Sequence, residues 1–179
     1  PDTLSLGVCN GCQLMIELDL LGAGTTESGE PRVKMMHNNS GKFESTFVSI
    51  KIPRNLTVMF GSLSGTTAGI WVAHGEGRFN FTESRKPAKV KIAAKYEYSA
   101  YPGNPNGSVN NIAALASANG RHLAIMPHLE RAIFPWQWAH YPASRINDEA
   151  SIWMQAFVNA RKWCEKAIKK AREYSIKQF

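Results

Sequence analysis

The chain has 179 residues, of which 44% are hydrophobic and 20% charged, with a net charge of +7. That length carries one domain with a real hydrophobic core, and that balance excludes a disordered or collagen-like chain. No apolar run reaches the roughly 18 residues of a membrane-spanning helix, and no ordered signal-peptide pattern opens the sequence.

In chain order, Leu4 to Val8 reads as a short buried strand. It is followed by a helix from about Asn10 to Leu21 with Leu14, Ile16, Leu18 and Leu21 at helical spacing, ended by Gly22-Ala23-Gly24. A polar loop runs to Pro31. Phe43 to Ile52 alternates as a strand closed by Pro53, and Leu56–Phe60 and Ile70–Ala73 are further short apolar runs. Val90 to Tyr98 has β character, and Tyr101 to Ser108 is a dense turn cluster. Ile112–Ala116 and His122–Met126 flank Asn119-Gly120 and predict a hairpin. From about Asp148 to Lys177 the pattern is helical, with Trp153, Ala156, Ala160, Trp163, Ala167 and Ala171 as the apolar stripe. This is a mixed α/β domain with more antiparallel strand than a plain doubly wound sheet, and an added C-terminal helix.

The basic excess is local. Residues 161–179 hold seven Lys or Arg against two Glu, so the body of the domain is close to neutral. A solvated helix face accounts for that, and neither nucleic acid nor membrane is expected as a partner. Three cysteines make no disulfide framework and fit a reducing, cytoplasmic setting. In that setting the N-x-S/T sequons at Asn38, Asn55, Asn80 and Asn106 are chance matches. The first residue is Pro1 and a core strand starts almost at once, so the expectation is a piece of a longer chain whose upstream strands are absent.

The segment Leu6-Gly7-Val8-Cys9-Asn10-Gly11-Cys12-Gln13 is a strand, then G-x-C-x-G, then a helix, the form of a nucleophile elbow. Such a turn strains the middle residue and holds its side chain above the sheet edge, while Gly7 and Gly11 let the chain pass closely. At the start of a helix, the dipole and free N–H groups favour a Cys9 thiolate, and the Asn10 N–H can donate to an oxyanion. C-x-x-C also admits a redox pair or half a zinc site, but no second C-x-x-C exists. Cys12 reads as a small packed residue.

A cysteine nucleophile needs a base and a group to orient it. His128 follows an apolar strand and Pro127, and Glu130 lies two residues on, pointing the same way in extended chain. His74 and Glu76 offer the same pattern after another apolar strand. The residues by themselves leave both pairs open.

Asp2 to Met15 resembles the nucleophile segment of class I (triad-type) glutamine amidotransferases. Ala73-His-Gly-Glu-Gly-Arg78, Tyr101 to Ser108, and Gly120 to Arg131 agree in the same order. The likeness covers about residues 2 to 138. It is strongest to the C-terminal glutaminase domains of large-type phosphoribosylformylglycinamidine synthases. The resemblance implies a flavodoxin-like α/β sheet flanked by helices. Residues 1–146 would be a partial amidotransferase domain without its N-terminal strands, and 147–179 an extra amphipathic basic helix packed on it. It implies Cys9 as nucleophile, His128 as base and Glu130 as orienter, with Leu129 standing where the family has proline. His74, Glu76 and Arg78 become structural. Gln13, Asn39, Ser40 and Phe43 are assigned to the glutamine pocket.

The implied partners are glutamine and the synthetase domain of the full-length enzyme. No cofactor belongs to this chain, while ATP and Mg serve the synthetase part, in purine biosynthesis. The family's glutaminase domain begins upstream with a Gly-Gly strand that supplies a second oxyanion donor. Without it the chain alone is expected to lose about 10² to 10³ in turnover, and the open edge of the first strand is expected to pair with another copy or with an upstream segment. The other readings are a different Cys-His-Glu hydrolase on the same fold and a non-catalytic interaction module.

Overall fold

The computed structural model describes residues 3–82 and 90–176. Among the described residues, eight strands and two α-helices follow in the order β1 (Ser5–Val8), α1 (Asn10–Glu17), β2 (Val33–Met36), β3 (Glu44–Lys51), β4 (Thr67–His74), β5 (Arg78–Phe81), β6 (Lys91–Tyr96), β7 (Ile112–Ala116), β8 (His122–Ile125) and α2 (Met154–Ile176). Six strands form one sheet in the order β1-β8-β7-β6-β3-β4, and β2 pairs with β5 in a separate ribbon. Within the described residues β1 with β8 is the parallel pair, and the other pairings are antiparallel. The expected mixed α/β architecture is present, with the antiparallel content that the short, turn-bounded runs imply.

The hairpin at Asn119-Gly120 forms as expected, with Ala114 opposite Ile125 and Gly120 at φ 73°. Apart from His122 at the start of β8, its strands are apolar because both faces are covered. Leu123 and Ile125 enter one cluster with Ile50, Ile70, Tyr96 and Trp153, while Ala124 and Met126 enter the other with Cys12, Met15, Phe79 and Leu115. The side-chain alternation of a strand divides one sequence run between two cores.

Several boundaries differ from the pattern reading. α1 ends at Glu17 rather than Leu21, where Asp19 takes a left-handed φ of 48° and its carboxylate accepts from the Ala23 and Gly24 N–H groups. The buried face of α1 is Cys12, Met15 and Ile16, and Leu14 and Leu18 of the expected stripe are exposed. Packing of Met15 and Ile16 against β8 and β2 decides the helix face, whichever leucines share a helical period. β4 starts three residues before the Ile70 run. Met59 and Phe60 are buried as a turn into a single 3-10 turn, Gly61–Leu63, and Leu56 is exposed. The β2–β5 ribbon had no sequence expectation, since each strand has four residues and its partner is some 45 positions away.

α2 starts at Met154, not Asp148, because residues before it close a turn: the Trp153 N–H donates to Ser151 Oγ at 3.2 Å. Its first turns dock. Trp153 and Ala156 are fully buried, the Trp153 indole N–H donates to the Gly69 carbonyl at 2.8 Å, and Asn159 reaches the Met59 carbonyl. From Arg161 to Lys169 the helix is mostly exposed. The stripe residue Ala171 and the expected end at Lys177 fall where side chains or backbone are outside the described residues. No described helix is long and apolar enough to cross a membrane.

The sheet curls until its two ends meet. The His128 N–H donates to the Trp71 carbonyl at 2.8 Å, an isolated antiparallel bridge from the segment after β8 to β4. The Trp71 indole N–H then holds the Gln137 carbonyl at 2.6 Å.

Candidate active site

β1 and β8 run parallel in register, Val8 beside Ile125, so their carboxyl ends leave the sheet side by side. Cys9 stands one residue past the first and His128 three residues past the second. The pattern places these two candidate residues where open α/β sheets usually gather ligands, at the carboxyl ends of strands. β4 runs the same way, and its end, Ala73-His74, is brought to the same place by the curl.

Cys9 takes φ 52° and ψ −108° at the N-terminus of α1, with its N–H tied to the Ile125 carbonyl at 2.9 Å. A non-glycine residue there is strained, and such strain persists only where surrounding structure enforces it. The enforcing contact is at Gly7, where an added Cβ would fall 2.5 Å from the Gly11 carbonyl oxygen and from Met15 Sδ. Gly11 differs from the expectation: a Cβ there would meet nothing within 4 Å. Close passage therefore accounts for Gly7 alone, and the first turn of α1 borders open space. The N–H groups of that first turn, Asn10's included, have no intrahelical acceptor.

His128 Nδ1 lies 2.6 Å from Glu130 Oε1. The imidazole is buried, while the Glu130 side chain is 43% exposed. The imidazole pKa is pushed up to about 9, by the Cys9 sulfur first and by the Glu130 hydrogen bond next, against burial, which works the other way. Burial is the largest influence on the Glu130 carboxyl and would raise it, but the His128 hydrogen bond, a backbone hydrogen bond and the charges of His128 and Arg131 together outweigh it, and the net shift is downward. His128 Nε2 has no hydrogen-bond partner of ordinary geometry, and the Cys9 thiol donates instead to the Ala73 carbonyl at 3.6 Å. Sulfur and imidazole are thus electrostatic neighbours without a formed hydrogen bond. A nucleophile and its base are often so arranged at rest, the bond tightening with substrate.

The rival pair is not assembled. His74 is 3% exposed, its two ring nitrogens lack partners, and burial drives its pKa down to about 4. Glu76 is on the surface, 3.4 Å from His37. Arg78 donates to the His37 carbonyl.

Of the remaining candidates, Gln13 and Phe43 border the chain that leaves β4. The Gln13 side-chain amide donates to the Glu76 carbonyl. Asn39, Ser40 and Phe43 occupy the exposed turn between β2 and β3, with Phe43 across from Gly75. Sequence reasoning passed over Asn38 and Asn106 as sequons. Both are buried, with their side-chain amides committed to backbone carbonyls. Among the described residues no group of three or more His, Cys, Asp or Glu is placed to hold a metal ion.

Comparison with known proteins places this geometry in context. The sequence matches the family described as the CobB/CobQ-like glutamine amidotransferase domain over residues 1–164. It is similar to phosphoribosylformylglycinamidine synthase of Drosophila melanogaster, 41% identical over 180 residues, covering 93% of this chain and 13% of that protein. The Homo sapiens protein of the same name is 38% identical, covering 91% of this chain and 14% of that one. The chain therefore spans about 13% to 14% of the length of these relatives. Among solved structures, PurLQS from Thermotoga maritima superposes with a TM-score of 0.64 at 24% identity, over 90% of this chain and 62% of that chain. The glutaminase domain of Trypanosoma brucei CTPS gives 0.50 at 20% identity, over 88% and 60%. Both likenesses concern the fold.

Proposed function

The chain belongs to the CobB/CobQ-like glutamine amidotransferase domain family, and from that membership we propose that it hydrolyses the side-chain amide of glutamine, with Cys9, His128 and Glu130 as its reacting group. The observation that carries the reading is a strained Cys9 at a helix N-terminus beside a histidine that is itself bonded to a carboxylate.

In this reading His128 Nε2 takes the Cys9 thiol proton, and the sulfur attacks the amide carbon. The oxygen of the tetrahedral adduct accepts from the Asn10 N–H. His128 returns the proton to the departing nitrogen, and ammonia leaves a γ-glutamyl thioester on Cys9. A water, deprotonated by His128, then cleaves that thioester to glutamate and restores the thiol. Glu130 accepts from Nδ1–H, which fixes the tautomer with Nε2 free to take the proton. Gln13, Asn39, Ser40 and Phe43 hold the substrate glutamine.

The relatives' shared name points to the destination of the ammonia. We assign the chain to the glutaminase part of a phosphoribosylformylglycinamidine synthase, whose synthetase part, with ATP and magnesium, converts formylglycinamide ribonucleotide to its amidine in purine biosynthesis. No residue of this chain is assigned to ATP or magnesium.

The test is Cys9→Ala in the intact enzyme. Glutamine-dependent synthesis should be lost while ammonia-dependent synthesis persists. Retained glutamine hydrolysis in that variant would remove the nucleophile assignment and the reading with it.

A further inference from the structure

We infer that Asn38 is a positioning residue that sets the affinity for glutamine, by clamping the turn that carries Asn39, Ser40 and Phe43 to the end of the strand that faces the nucleophile. The inference rests on the glutamine-hydrolysis reading of Cys9.

Asn38 is 3% exposed, yet every polar group it has is used. Its Nδ2 donates to the Lys42 carbonyl at 2.9 Å and to the His74 carbonyl at 2.7 Å, and its Oδ1 accepts from the Gly77 N–H at 3.3 Å. Its own N–H donates to the Gly75 carbonyl at 2.9 Å, and its carbonyl accepts from the Gly41 N–H at 3.0 Å. One side of this set is the 38–43 turn. The other is the end of β4, whose Ala73 carbonyl takes the Cys9 thiol, with the chain leaving it, whose Glu76 carbonyl takes the Gln13 amide. Asn106, fully buried, braces the same loop from behind through the Gly77 carbonyl at 2.6 Å, and its backbone carbonyl accepts from the Asn39 N–H at 3.1 Å. Gly107, at φ 75°, packs against Asn39: a Cβ there would lie 2.1 Å from Asn39 Nδ2 and push that side chain aside.

A buried, fully satisfied amide network fixes one arrangement of the loops it joins. Here one of the loops bears Asn39, Ser40 and Phe43, and the other supplies the Glu76 carbonyl that holds the Gln13 amide. Cys9 and His128 are held by other means, the β1–β8 pairing and the Trp71 bridge. Loss of the clamp should therefore loosen substrate binding and leave the nucleophile intact, a separation that loss of stability alone would not produce.

The experiment compares Asn38→Ser and Asn106→Ser with the unaltered protein, in the intact enzyme. Three measurements are taken: glutamine saturation, the rate of Cys9 alkylation by iodoacetamide, and thermal melting. Loss of binding that ground state and transition state share raises KM without lowering kcat, so the glutamine KM is expected to rise about ten- to a hundredfold. kcat and the alkylation rate should stay within about threefold, the range in which the chemical step is unaffected. A folded Asn38→Ser with unchanged KM, or one in which kcat alone falls, overturns the inference. If Asn38→Ser does not fold, Asn106→Ser decides, by the same criterion. Cys9→Ala separates the two levels: unchanged KM in the clamp variants with an inactive Cys9→Ala sinks the clamp only, whereas an active Cys9→Ala sinks the reading beneath it.

Discussion

At the scale of the residue, two histidines with the same H-x-E surroundings are driven in opposite directions. His128 gains a carboxylate and a sulfur and is pushed up to about 9. His74 is enclosed without a hydrogen-bonded carboxylate or sulfur, and burial drives it down to about 4. Their linkage to stability has opposite sign. The His128 contribution is complete below the ordinary histidine pKa of about 6.5 and is lost as pH rises through about 9. That of His74 is lost as pH falls below about 6.5 towards 4, because the unfolded chain takes a proton that the folded one refuses. Each unit of that interval is worth about 1.4 kcal/mol. Calorimetric melting of His74→Gln should therefore show a flatter acid limb between pH 6.5 and 4, with the alkaline limb unchanged. Glu130→Gln should do the reverse, flattening the alkaline limb. In glutamine hydrolysis it should cost about 10² to 10⁴ in kcat, the range seen when a histidine's orienting carboxylate or its proton transfer is compromised. A Glu130→Gln enzyme with unaltered kcat would mean that the 2.6 Å contact has no part in the chemistry.

At the scale of the element, the strand–elbow–helix unit shows how a glycine pattern divides by function. Gly7 is a packing requirement and Gly11 is not. Gly7→Ala should destabilise by about 1–3 kcal/mol, the cost of forcing a methyl into a filled space. Gly11→Ala has room and replaces a poor helix residue, so it should be neutral or stabilising by up to about 1 kcal/mol. Chemical denaturation of the two variants checks both, and equal losses would mean that the close approach at Gly7 is not what holds the elbow. The elbow itself was legible in the sequence, because a strand, G-x-C-x-G and a helix are local patterns. The face of α1 was not: Leu14 and Leu18 share a helical stripe on paper, but the parallel neighbour β8 and the β2 ribbon lie on the other side and bury Met15 and Ile16. The β2–β5 ribbon was invisible for the same reason, since its pairing partners are far apart in the chain.

At the scale of the whole molecule, the C-terminal helix is tied to the domain by its beginning. Trp153→Ala empties a fully buried site and frees the Gly69 carbonyl, and should cost about 3–5 kcal/mol. Ile168, 52% exposed on the same helix, should change stability by less than about 0.5 kcal/mol when replaced by alanine. Urea unfolding measures both, and comparable losses would show that the outer half of the helix also supports the fold. The sequence by itself determined the elements that local pattern can specify: the elbow at Cys9, the Asn119-Gly120 hairpin of doubly buried strands, and a histidine with a following glutamate at a strand tip, twice. Periodicity and turn chemistry act over a few residues, so they gave no means of choosing between His74 and His128. What sets the two apart is tertiary: His128 lies beside Cys9 and Glu130, while His74 is enclosed. Parallel pairing of β1 with β8 sets the two chain exits beside each other across more than a hundred residues, and the curl of the sheet joins β4 to them. The same curl turns the His74 ring into the interior and leaves His128 beside sulfur and carboxylate, because which face of a strand is covered depends on what the rest of the chain packs against it.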